Sequence, residues 1–315
     1  MENILFSLNI VMPIFFLILL GAFLKRVGIF TEEFRSAANK LVFYVALPAA
    51  LFRDMASSDI VSIFNLRFLL YAVGASLVIF FLAWILAKVI LKEPAAIGAS
   101  VHGAFRGNFA YIGLPVIRSL MGIETVTAGI MVIAVVIPIY NILATLILSY
   151  YDPTGGRPTV RSMALKIIKN PLILSILIGL PFSLWHITLP TMVDTTVKYV
   201  GQISTPLALL MIGAALRADT FKSKKAGILL TTVIKIVVAP LIGTAGAILI
   251  GIRGEELVTL FVMFAVPSAV STYIMTRAMK GDGEMAAGIV MVTSLFGIFT
   301  MAVGITILRG LGYLG

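Results

Sequence analysis

The chain has no cysteine, two histidines, and charged residues at only 12% of its 315 positions. The lack of cysteine excludes disulfides, thiolate catalysis and Cys-ligated metal sites. His102 and His186 are too few to hold zinc or haem, so no metal site and no cofactor are expected. A soluble domain carries roughly twice this charge, which excludes a soluble globule. A disordered chain needs low hydrophobicity; here 60% of residues are hydrophobic and the mean hydropathy is +1.09. Short alternating strands, the mark of a membrane β-barrel, are also missing. No stretch is polar enough to form a separate soluble domain, which argues against an enzyme.

What is present is a series of long apolar runs, at roughly 8–25, 36–53, 67–91, 96–119, 124–150, 167–186, 197–217, 226–250, 256–279 and 285–308. At about 20 residues per span, the length holds roughly ten helices. The expected class is an all-α polytopic membrane protein embedded in a lipid bilayer. Met1-Glu2-Asn3 has no basic n-region and no small-residue cleavage site follows, so the first run reads as a retained span.

A net charge of +10 invites a nucleic-acid reading, but the distribution of Lys and Arg supplies a simpler one. Sixteen of the 24 fall in odd-numbered loops and six in even-numbered loops or the termini. The positive-inside rule then makes the odd loops cytoplasmic and puts both termini on the extracytoplasmic side of the plasma (inner) membrane. No nucleic-acid partner is expected. Two basic residues, Arg106 and Lys235, fall inside spans.

The chain also repeats itself. Pro13 and Pro171, Gly21 and Gly179, and Pro48 and Pro206 are each 158 residues apart, and Gly107-Asn108 matches Pro267-Ser268 at 160. Pro138 and Pro240 have no partners. The chain divides into a first five-helix repeat (1–152), a cytoplasmic linker (153–163) and a second five-helix repeat (164–315). Five is odd, so the second repeat enters the membrane inverted, as in secondary transporters.

The fourth run, Arg106-Gly-Asn-Phe-Ala-Tyr-Ile-Gly-Leu-Pro115, and the ninth, Ala265-Val-Pro-Ser-Ala-Val-Ser-Thr-Tyr273, carry glycine and proline at mid-span. Proline removes a backbone donor and disturbs the helical ladder. Groups freed in hydrocarbon must be buried in protein or line a cavity, and paired breaks point to a substrate site. Gly107, Gly113, Pro115 and Pro267 are the expected break residues. Half-helix N-termini attract anions, and a basic residue at mid-depth is a functional candidate. All fourteen acids are read as lying in loops or near span ends. The expected cargo is therefore an anion. His102 is the one titrating group read inside the fourth span, and Asn141 either ligates substrate or bonds between helices.

These residues resemble the auxin efflux carrier family, which includes bacterial organic-acid permeases and plant PIN-type carriers. The likeness rests on Val27-Gly-Ile-Phe-Thr31, Ala46-Leu-Pro-Ala49, Gly107-Asn108 through Gly113-Leu-Pro115, Lys169-Asn-Pro171, Ile178-Gly-Leu180, Leu189-Pro-Thr191, Leu209-Leu-Met-Ile-Gly213 and Val266-Pro-Ser268. It implies a fold like that of the bile-acid sodium symporters and PIN carriers. Helices 1, 2, 6 and 7 would form a scaffold, and helices 3–5 and 8–10 a transport domain moving as an elevator. PIN-type carriers often have proline before the asparagine of the first crossover, where this chain has Gly107, and glutamine after the proline of the second, where it has Ser268. The plant carriers' long cytoplasmic loop is absent.

The expected function is elevator-type transport of a small organic anion, a carboxylate above all. Asn108, Tyr111, Pro267, Ser268, Ser271 and Thr272 are expected to hold it, with Asn141 as a further candidate and Arg106 and Lys235 supplying positive charge. Sodium-coupled symport of the bile-acid type and a ligand sensor without flux are the alternatives. The coupling ion, sodium or proton, stays open, as does a homodimer through the scaffold helices.

Overall fold

A computed structural model describes residues 2–58, 64–122, 126–154, 159–216 and 223–313, with side chains from residue 12 onward except that of Val160. Arg157, Arg217 and Lys222 of the basic count, and Asp59, Glu124 and Asp219 of the acids, lie outside the described residues, as does the middle of the 153–163 linker.

The described residues are helical apart from short connections, with no strand among them. In an apolar solvent the helix bonds every backbone group within its own segment, and apolar runs free of charge give it nothing else to do. The order is α1 (Glu2–Arg26), α2 (Glu32–Leu41), α3 (Leu47–Ala56), α4 (Leu66–Ile90), α5 (Pro94–Phe105), α6 (Leu114–Met121), α7 (Thr127–Met131), α8 (Ile137–Tyr150), α9 (Val160–Ile168), α10 (Pro171–Leu184), α11 (Thr191–Gln202), α12 (Ser204–Ala215), α13 (Lys225–Val233), α14 (Ala239–Leu249), α15 (Gly254–Ala265), α16 (Val270–Ala278) and α17 (Gly283–Gly310). Side-chain caps set several starts. Asn65 accepts from the Phe68 N–H at 3.1 Å to open α4, and Asn170 from Leu172 at 2.9 Å to open α10. Asp282 accepts from Met285 at 2.9 Å to open α17. Each satisfies a donor that the first turn leaves unpaired.

Four π-helical turns, Val42–Ala46, Phe109–Gly113, Val132–Val136 and Ile234–Val238, join α2 to α3, precede α6, join α7 to α8 and join α13 to α14. Each ends two residues before a proline: Pro48, Pro115, Pro138 and Pro240. Proline supplies no N–H and its ring crowds the carbonyl four residues earlier. Widening that turn relieves the crowding and lets the helix continue. Gly113 and Pro115, expected to break the fourth span, therefore do not break it; the helix runs through them, and the chain parts earlier, at Gly107.

Five helical stretches are long and apolar enough to cross a membrane: Leu66–Ile90, Thr127–Tyr150, Thr191–Ala215, Lys225–Leu249 and Gly283–Gly310. A sixth results if Arg161–Ile168 and Pro171–Leu184, bent by 59°, form one span. Large apolar side chains cover the outside, with Val89 78% and Leu249 86% exposed. Such a surface is a liability in water and suits lipid. Together with the family reported below, these helices mark a multi-pass membrane protein.

Two close helix pairs flank the interior. α1 packs along α12, and α10 along α3. Gly21 meets the Leu210 carbonyl and Gly213 the Ile18 carbonyl so closely that a Cβ at either would collide with the opposing backbone. In the other pair, a Cβ on Gly179 would lie 2.8 Å from the Phe52 carbonyl oxygen. Small residues allow this approach where lipid supplies no hydrophobic drive between helices. Gly213→Leu should lower thermal stability in detergent by at least about 1–3 kcal/mol, the cost of overpacking. Gly74→Leu, where a Cβ meets nothing within 4 Å, should leave it unchanged; melting curves of the two purified variants check this.

Candidate functional site

The interior is organised by two interrupted helices. α5 ends at Phe105 and the chain runs extended before turning helical again at Phe109; α15 ends at Ala265 and α16 begins at Val270. At the second interruption Pro267 cannot donate to the helical ladder. At the first, Gly107 is required by space. A Cβ there would lie 2.6 Å from Val266 Cγ2 and 3.0 Å from both the Lys235 Nζ and the Met263 carbonyl oxygen.

The two extended segments pair with each other. The Asn108 N–H donates to the Pro267 carbonyl at 2.8 Å, and the Ala269 N–H to the Arg106 carbonyl at 3.0 Å. This is a single antiparallel bridge, Gly107 to Ser268. It sets Gly107 opposite Ser268, one residue away from the match of Gly107 with Pro267 expected from the sequence.

Buried backbone groups need partners, and three side chains provide them. The Ser268 hydroxyl donates to the Gly103 carbonyl at 2.7 Å, and the Ser268 N–H donates to Thr293 Oγ1 at 3.1 Å. The Lys235 ammonium donates to the Phe264 carbonyl at 3.0 Å. In an unbroken helix Gly103 would accept from Gly107, and Phe264 from Ser268. Ser268 and Lys235 thus hold the crossing together.

Beside the crossing lies a partly open cavity. Arg106, Gly107, Asn108, Phe109 and Tyr111 from the first interruption and Ala269, Val270 and Ser271 from the second form one wall. Leu47, Ala50, Leu51 and Asp54 of α3 and Ser204, Thr205 and Ala208 of α12 form the other. The first turns of two helical segments, at Phe109 and at Val270, therefore border the same space, and such turns present unpaired N–H groups and partial positive charge. Arg106 is 5% exposed and donates from Nη1 to Met275 Sδ at 3.0 Å; among the described residues it has no ion pair. The Tyr111 hydroxyl interacts with Ser204 and Thr205 across the cavity.

Of the expected site residues, the structure brings Arg106, Gly107, Asn108, Tyr111 and Ser271 to this cavity. Pro267, Ser268, Thr272, Lys235 and Asn141 do not line it. Pro267 and Ser268 belong to the crossing, Thr272 is fully buried, and Asn141 donates to the Ile137 carbonyl of its own helix at 3.0 Å. His102 is buried away from the cavity, 3.4 Å from the Thr276 hydroxyl.

Four polar residues of the lining escaped the sequence reading: Asp54, Tyr140, Ser204 and Thr205. Asp54 follows Arg53 near the end of an apolar run and so reads as a span-end acid. Arg53 turns away, making a two-pronged pair with Asp194 at 2.8 and 3.1 Å, while Asp54 faces the cavity. The expectation that no carboxylate stands among the mid-span cations is corrected at this residue.

Residues 6–305 match the family described as "Membrane transport protein". The chain belongs to this family, the auxin efflux carrier family of membrane transporters. It is a membrane transporter and not an enzyme. It is 24% identical to an uncharacterized transporter of Methanocaldococcus jannaschii over 94% of this chain and 96% of that protein. It is 22% identical to a Rhizobium meliloti protein named "Putative malonate transporter", over 93% of each. With auxin efflux carrier component 3a of rice (Oryza sativa subsp. japonica) it shares 25% identity over 36% of this chain and 19% of the carrier.

In this transporter Lys235 has a structural bond that can be tested apart from transport. Lys235→Met keeps the length but leaves the Phe264 carbonyl unsatisfied, which should cost about 1–3 kcal/mol. Lys235→Gln, which retains a donor, should recover part of that loss; thermal unfolding in detergent reads both.

Proposed function

We propose that the chain is a secondary transporter that carries a small carboxylate across the plasma membrane by elevator-type alternating access. The observation that carries this reading is the convergence of Arg106, Asn108 and two first helical turns on one cavity. A guanidinium and N–H groups are donors only, and oriented helix N-termini favour negative charge. Tyr111 and Ser271 add neutral hydroxyls suited to carboxylate oxygens. The name of the Rhizobium relative points to the same substrate class.

The architecture proposed with it is ten transmembrane helices in two inverted repeats, 1–152 and 164–315, with both termini extracytoplasmic by the Lys and Arg distribution. Two observations support the inverted repeat. The bonds of the crossing are reciprocal, Asn108 to Pro267 and Ala269 to Arg106. The close approaches of Gly21 to Leu210 and of Gly179 to Phe52 join positions that are 158 apart on both sides of the contact. Helices 1, 2, 6 and 7 would be the scaffold, corresponding to α1, α2–α3, α10 and α11–α12. The cavity then lies on the boundary between scaffold and moving domain, as alternating access by an elevator requires. Sodium-coupled symport of the bile-acid type is disfavoured by the Lys235 ammonium, which already occupies the Phe264 carbonyl at the break.

Purified protein in liposomes should take up labelled malonate or another small mono- or dicarboxylate in a saturable manner. Arg106→Gln and Asn108→Ala should each cut uptake by about tenfold or more, the loss of a charge-assisted bond of roughly 1.5–3 kcal/mol. Unchanged uptake in both variants overturns the site assignment, and saturable binding without flux replaces the carrier by a sensor.

A further inference from the structure

Asp54 is out of place in an anion site. It lines the cavity from α3, together with Arg106 and Asn108 of the crossing. Its carboxylate has no ion pair and no hydrogen bond among the described residues, because the neighbouring Arg53 is held by Asp194. Arg106 does not pair with it either; its guanidinium turns to Met275. An acid and a base, neither in an ion pair among the described residues, thus line one partly enclosed space.

An ionised Asp54 repels a carboxylate bound at Arg106, and in a cavity of low dielectric this repulsion is much stronger than in water. A protonated Asp54 loses the charge and gains an O–H that can donate to the substrate. Substrate and proton therefore bind each other's state more tightly, and the linkage is reciprocal. Relative movement of α3 and the crossing would open the cavity first to one face and then to the other, so that Asp54 takes up a proton with the anion at the first face and gives it up as the anion leaves at the second.

We infer that Asp54 is the proton-coupling residue of this transporter, so that one proton crosses with each carboxylate. The inference rests on the proposed anion-carrier reading. The other ionisable groups around Asp54 do not take this role. On its own element these are Arg53 and, in the preceding π turn, Tyr44. The crossing contributes Arg106 and Tyr111, α8 contributes Tyr140, which lines the same cavity, and α11 contributes Asp194, Lys198 and Tyr199. α10 has none, and α12 offers only Ser204 and Thr205. His186 lies with Arg53 and Asp194 in a separate recess and is the control.

The test uses wild type, Asp54→Asn, Asp54→Glu and His186→Gln in liposomes, with labelled malonate and succinate, an internal pH-sensitive dye and protein-free vesicles as blank. For wild type an inward proton gradient should drive accumulation, and carboxylate entry should acidify the lumen above the blank. The half-saturating concentration in exchange should rise with pH, approaching about tenfold per unit at strict one-proton linkage. In Asp54→Asn, gradient-driven accumulation should fall further than exchange of preloaded carboxylate, and most of the pH dependence of exchange should be lost. Asp54→Glu, which keeps a carboxyl, should recover proton-driven accumulation relative to Asp54→Asn, and His186→Gln should behave as wild type.

Three results overturn the inference while leaving the carrier intact: accumulation by Asp54→Asn at the wild-type level, wild-type entry without lumenal acidification, or accumulation driven by sodium and not by protons. If Asp54→Asn does not fold, wild-type entry without lumenal acidification still overturns the inference, and retention of proton-driven accumulation by Asp54→Glu supports it. Absence of exchange for both carboxylates in wild type overturns the anion-carrier reading and this inference with it.

Discussion

The two backbone bonds between Asn108 and Pro267 and between Ala269 and Arg106 are the constraint on which the interior depends. A helix interrupted inside an apolar medium exposes carbonyls and N–H groups at a cost of several kcal/mol each. Two interruptions placed against each other satisfy part of that demand mutually. The remainder falls to Ser268, Thr293 and Lys235, each bonded to one freed group. Gly107 is what lets the segments meet, since any Cβ there would press on Val266 and on the Lys235 ammonium.

This arrangement separates structural polar residues from those free to act. Ser268 and Lys235 look like ligands by chemistry and depth, yet the Ser268 hydroxyl and one ammonium N–H of Lys235 are bonded to backbone carbonyls of the interrupted helices. Arg106, Asn108, Tyr111 and Ser271 stand at the same interruptions but border open space. The same distinction applies on the opposite wall. Arg53 is paired with Asp194, whereas Asp54 beside it forms no ion pair among the described residues and lines the cavity. One residue of rotation along a helix, about 100°, decides which of two adjacent charges belongs to the architecture and which to the site.

The prolines show a parallel division. Pro267 parts a helix, while Pro48, Pro115, Pro138 and Pro240 only widen the turn before them. Sequence pattern does not distinguish these outcomes. A proline breaks a helix where its neighbours can take over the freed groups in an extended conformation, as the crossing does for Pro267. Elsewhere a π turn is the smaller disturbance. For this reason Gly113-Leu-Pro115 read as a break while the chain departs from helix at Arg106–Asn108.

The sequence by itself determined the solvent and much of the architecture. Apolar content, the spacing of the runs and the scarcity of charge require helices in lipid, because the bilayer leaves the backbone no other partner. It also marked both interruptions, since glycine and proline at mid-run are local signals, and it singled out Arg106 and Asn108. Only the tertiary structure decided the register of the crossing, the structural bonds of Ser268 and Lys235, and the presence of Asp54, Ser204 and Thr205 on the opposite wall. These depend on contacts between residues more than a hundred positions apart. The direction in which a side chain points from a helix, toward lipid, backbone or cavity, is set by those contacts and leaves no periodic trace in the chain.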